Sequence, residues 1–79
     1  MNKKPISKSH QKTLEIVSQY LKELRYSENL TQEEVQSRTG LHRNSVSLAE
    51  RNFSCNIKTI IILCELYKIS IADLFSIID

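Results

Sequence analysis

Arg43, Asn44, Ser47, Leu48 and Arg51 stand out in the stretch LHRNSVSLAERN, residues 41–52. At about 100° per residue they share one side of a helix, while Val46, Ala49 and Glu50 share the other. Arginine carries a planar fork of donors, and asparagine a paired donor and acceptor. Those shapes match guanine O6/N7 and adenine N6/N7 in the major groove of duplex DNA, at about 1–3 kcal/mol of discrimination per good bidentate contact. Arg43 and Asn44 open the helix, the end that usually approaches bases. Ser45, Ser47 and Arg51 suit phosphate or supporting contacts. Free amides at helix starts near Gln32 and Asn56–Lys58 offer further phosphate donors. The bland alternative is a polar face that meets only water.

A reader of that kind needs a frame that holds it away from the core. Thr31 and Glu34 form a T-x-x-E capping box that opens a short helix ending near Thr39. Gly40 is the chain's single glycine and is suited to the left-handed turn that closes this helix. Leu41 then returns to the core and the polar helix follows over about 43–51. Two helices joined by a glycine turn, the second with a polar outer face, make a helix-turn-helix. Upstream, Leu14, Val17, Leu21 and Leu24 form one apolar stripe and predict a helix over about 11–26, broken by Ser-Glu-Asn at 27–29. Downstream, Asn56 caps a helix over about 57–67 with Ile57, Ile60, Leu63, Cys64 and Tyr67 inward. Ser70 and Asp73 form a second box that opens a last helix with Ile71, Leu74, Phe75 and Ile78 on its apolar side. The reading is all-α: a compact bundle of five helices over 11–79, preceded by a flexible basic arm, residues 1–10.

Composition agrees with that class and excludes others. The chain has 79 residues, 41% of them apolar, with one Gly and one Pro, as expected of a single small globular domain. Net charge is only +2, yet residues 1–12 carry four lysines and no acid, and residues 42–58 sum to +2. Positive charge on the arm and on the polar helix suits a polyanion. Lys3, Lys4 and Lys8 either follow DNA or are simply solvated. No apolar run approaches membrane-spanning length and the N-terminus lacks a signal-peptide hydrophobic region, so a cytoplasmic setting is expected. His10, His42, Cys55 and Cys64 lack zinc-ligand spacing, and Cys64 falls in an apolar helical pattern as a small core residue. With no phosphate loop, metal cluster or plausible triad, neither an enzyme nor a cofactor is expected, and no small-molecule substrate.

The segment LTQEEVQSRTGLHRNSVSLAERN, followed by IKTIIILCELYKISIADLF, resembles the lambda-repressor/Cro-like (XRE) helix-turn-helix family over about residues 14–75. Its GLHR…S…ER wording and its size look most like controller proteins of restriction–modification systems. The resemblance implies five helices and sequence-specific binding of double-stranded DNA. It implies that Gln32 holds a phosphate and braces the reader helix. It also implies that Arg43, Asn44, Ser47 and Leu48 face bases, and that Arg25 and Glu50 form an internal ion pair. His42 departs from the family, which often caps the reader helix with Ser or Thr; its ring is left to touch a phosphate or to be solvated. Leu48 replaces a residue that is often polar, and either packs on a thymine methyl or has no role. Asn52 and Lys68 stand where glycine is common at helix ends.

One reader helix spans few base pairs, so a homodimer on a palindromic operator is expected, with readers about 34 Å apart. Ile62, Leu66, Phe75 and Ile78 are the candidate dimer interface; the alternative is that they complete the monomer core. The DNA-facing set is then Gln32, His42, Arg43, Asn44, Ser45, Ser47, Leu48, Arg51, Asn52 and Lys58. The competing function is a protein-interaction module of the same fold, such as an antitoxin or assembly partner.

Overall fold

The computed structural model describes residues 8–52 and 55–77, with side chains described for 12–51 and 55–77. Lys3, Lys4, the other residues before Lys8, and Ile78 lie outside that range. Five helices follow in order: α1 (Lys8–Ser27), α2 (Gln32–Thr39), α3 (Arg43–Asn52), α4 (Ile57–Tyr67) and α5 (Ile71–Ser76). Helix α1 is already formed at Lys8, so residues 8–10 of the expected arm are helical. Periodicity placed the start later because the apolar stripe begins only at Leu14.

The helices bury one stripe each. Val17 and Leu21 of α1, Val35 of α2, Val46 and Ala49 of α3, Ile60, Leu63, Cys64 and Tyr67 of α4, and Leu74 of α5 form a single cluster with Leu30. Each fully buried aliphatic side chain contributes about 1.5–3 kcal/mol relative to exposure. Ile57 does not join them; it is 61% exposed. It sits at the first residue of α4 and at the edge of the buried arc, so period alone put it inward while no described residue covers it. Ile61, one turn on, is also exposed at 42%.

Local chemistry sets the helix ends. Glu34 N–H donates to the Thr31 hydroxyl at 3.1 Å and Thr31 N–H to Glu34 Oε1 at 2.9 Å. Ser70 and Asp73 repeat the exchange at α5, and Asn56 Oδ1 accepts from Thr59 N–H at α4. Helix α1 ends through Asn29, whose φ of 57° is left-handed. Leu30 N–H reaches Arg25 O at 3.1 Å and Asn29 N–H reaches Tyr26 O at 2.9 Å, the paired bonds of a Schellman end. Helix α4 ends in the same way through Lys68, at φ 59°. There Ile69 N–H bonds Cys64 O and Lys68 N–H bonds Glu65 O. A lysine pays the Cβ strain that glycine avoids.

Candidate nucleic-acid interface

The turn between α2 and α3 decides where the polar face points. Gly40 takes φ 77° and its N–H bonds Gln36 O at 2.8 Å. A Cβ there would meet nothing within 4 Å, so the demand for glycine is one of backbone conformation alone. The Thr39 hydroxyl donates to Val35 O at 2.6 Å and accepts from Leu41 N–H at 3.1 Å. One side chain thus ties the last turn of α2 to the residue beyond the glycine. Leu41 packs, half-buried, against the core.

His42 then caps α3. Its Nδ1 accepts the Asn44 N–H at 3.1 Å, and its carbonyl accepts from Ser45 and Val46 N–H. The ring thus satisfies a helix-start amide, the task Ser or Thr usually performs, while the residue stays exposed. An accepting Nδ1 leaves the ring proton on Nε2, which remains a donor.

Behind α3 lies an ion pair. Arg25 Nε meets Glu50 Oε2 at 2.8 Å and Arg25 Nη2 meets Glu50 Oε1 at 2.9 Å, a bidentate fork between α1 and α3. The third arm, Arg25 Nη1, donates to Leu30 O at 2.9 Å in the α1–α2 turn. Gln32 Nε2 of α2 reaches Glu50 Oε1 at 3.3 Å. Both charged residues are 6% exposed, and Arg25 also stacks over the Tyr26 ring at 4.7 Å. Its hydrogen bond to Glu50, more than any other influence, raises the guanidinium further above its ordinary range. Burial first, and then the Glu50 charge, push the nearby Tyr67 hydroxyl well above the ordinary tyrosine value. Three helices therefore meet at one carboxylate, and α3 cannot roll without breaking charge-assisted bonds.

The opposite side of α3 faces water. Arg43, Asn44 and Arg51 are exposed; Ser45, Ser47 and Leu48 are half-buried; Val46, Ala49 and Glu50 are buried. Asn52 ends the helix, and its side chain lies outside the described residues. Gln32 is half-buried, and Lys58 is exposed in the first turn of α4. Arg43 Nη1 lies 3.5 Å from Glu33 Oε1 of α2. That contact has no signature in the sequence, because it depends on how α2 and α3 cross. Of the expected dimer residues, Ile62 and Leu66 are half-buried beside Arg38, Thr39 and Glu65, and Phe75 is half-buried on α5.

Two helices joined by a glycine turn, the second polar on its outer side and backed here by a buried ion pair, form a helix-turn-helix. The family model described as Helix-turn-helix matches residues 21–74. The chain belongs to this family, the XRE-type, lambda-repressor/Cro-like helix-turn-helix proteins, whose members are DNA-binding regulators. No curated protein and no solved structure gives a significant match. Among the described residues, no helix is long and apolar enough to cross a membrane.

Proposed function

We propose that this protein is a sequence-specific transcriptional regulator that reads the major groove of duplex DNA with the outer face of α3. The observation that carries the reading is the division of α3: Arg43, Asn44 and Arg51 lie in solvent while Glu50, on its back, is locked to Arg25. Arg43 and Asn44 supply bidentate base contacts, and Leu48 packs on a thymine methyl. His42, Ser45, Ser47, Arg51 and Asn52 supply phosphate or supporting contacts. Gln32 and Lys58 join them at the starts of α2 and α4, where free amides favour phosphate.

The working unit is a homodimer on a palindromic operator. Ile62, Leu66, Phe75 and Ile78 form its interface, and the exposed Ile57 and Ile61 extend the apolar surface of α4. Light scattering at micromolar concentration, with and without DNA, tests this part; a monomer under every condition contradicts it. The GLHR…S…ER wording favours a controller of restriction–modification genes within the family. A methyltransferase and endonuclease pair beside the gene is the expected context, and a toxin gene in its place supports the interaction-module reading.

Selection from a random duplex library, followed by gel shifts, tests the reader. Replacing Arg43 by Ala is expected to relax preference at one base-pair position by about 1–3 kcal/mol. Replacing Arg51 by Ala is expected to weaken all sequences alike and to lower the salt slope by about one. Wild-type binding by both variants contradicts the assignment of the site.

A further inference from the structure

The ion pair between Glu33 and Arg43 joins the first turn of α2 to the first residue of α3. Both side chains are open to solvent, 71% and 59% exposed. Exposed pairs of this kind contribute little to stability, so stability does not account for its place on the reading face. Its other consequence is for the arginine. At 3.5 Å, longer than an ordinary hydrogen bond, the contact biases where the guanidinium sits, and the Nε–Nη2 edge keeps the fork geometry that guanine O6 and N7 require.

The neighbouring carboxylates are engaged elsewhere. Glu34 Oε1 turns back to the Thr31 amide, and both Glu50 oxygens take Arg25. Glu33 is thus the carboxylate that meets the reader arginine. It also belongs in that place: the first turn of α2 favours an anion, whereas the start of α3 does not favour the cation of Arg43. On unrelated DNA, an Arg43 that turns from Glu33 to a phosphate leaves that carboxylate facing a polyanion. At a matching guanine the arginine keeps both partners. Discrimination of that kind works by weakening the wrong complex.

We propose that Glu33 is a specificity-determining residue, which orients Arg43 for a guanine edge and opposes its use as a non-specific phosphate contact. The inference rests on the groove-reading role of α3.

The test compares the wild type with Glu33→Gln, Arg43→Ala and the double variant, after circular dichroism shows that each is folded. Fluorescence anisotropy is read over a range of salt on a duplex selected by the wild type, on its single-base variants, and on an unrelated duplex. Arg43→Ala identifies the base pair that this arginine reads, by a loss of preference between about fivefold and about 150-fold. Glu33→Gln is expected to cut preference at that same pair at least about threefold. It is also expected to tighten binding to unrelated DNA, with a salt slope steeper by about 0.9 for one added phosphate contact. The double variant is expected to match Arg43→Ala at that pair. Unchanged preference there in Glu33→Gln overturns the proposal whatever the slope does, as does an even loss at every position. A wild type that selects no duplex overturns the groove-reading role itself, and this inference with it; a selective wild type with an indifferent Glu33 variant overturns this inference alone.

Discussion

At the scale of single residues, the cap of α2 shows how a few atoms set a site. Glu34 accepts the Thr31 amide, and that bond, followed by the Thr31 hydroxyl bond and the Arg38 charge, holds its carboxyl below the ordinary glutamate value. A carboxyl lowered in the folded state stabilises the fold at pH values above its unfolded pKa, about 4.3. That contribution fades as pH falls through the lower, folded value. The melting-temperature gap between wild type and Glu34→Gln is therefore expected to be constant from neutral pH to about pH 5 and to close under stronger acid. Thermal melts across that range check it, and a gap that widens in acid contradicts the capping box as the cause.

The same scale separates what was legible from what was not. Thr31–Glu34, Ser70–Asp73 and Gly40 are local signals, since the partner atoms lie within a few residues along the chain. His42 was harder. Its Nδ1 does what a hydroxyl usually does, and residue type alone does not say which way an imidazole turns. Glu33 was illegible as a partner of Arg43, because ten positions of sequence and a helix crossing separate them.

At the scale of helices, periodicity and cap signals together located the elements, but not all of their ends or their cover. Helix α4 carries apolar residues on more than one side, and the pattern does not reveal which of them another helix will reach. Ile60 and Leu63 are 1% exposed, whereas Ile57 protrudes. The ends of α1 and α4 are both Schellman turns, with Asn29 and Lys68 where glycine is the easiest residue. Lysine at φ 59° carries strain that glycine would not. Replacing Lys68 by Gly is expected to stabilise the protein by about 1 kcal/mol, since relief of left-handed strain outweighs the added freedom of the unfolded chain. Urea denaturation measures it. A loss of stability instead would mean that the lysine side chain contributes more than the strain costs.

At the scale of the whole molecule, Arg25, Leu30, Gln32 and Glu50 join α1, the following turn, α2 and α3. The resemblance supplied the pair; that the same carboxylate also receives Gln32 is a product of the folded packing. Replacing Glu50 by Gln leaves a buried arginine without its counter-charge, at a cost of roughly 3–5 kcal/mol. Small domains have about 5–15 kcal/mol in all, so this variant is expected to melt far below the wild type. Replacing Arg25 and Glu50 together by Met is expected to recover most of that loss, because apolar pairs of similar volume often match buried ion pairs. Chemical denaturation of the three proteins compares them, and a double variant as unstable as Glu50→Gln alone would contradict the electrostatic origin of the cost.

The claim on which the rest depends is that the solvent side of α3 is the surface that meets DNA. Amide and side-chain NMR shifts, followed while a selected duplex is titrated into labelled protein, test it most directly. The expected result is that the largest changes fall on residues 42–51, with smaller ones at the starts of α2 and α4 and none on the buried side of α1. Changes centred on α1 or α5, with Arg43, Asn44 and Arg51 unmoved at saturation, would contradict it.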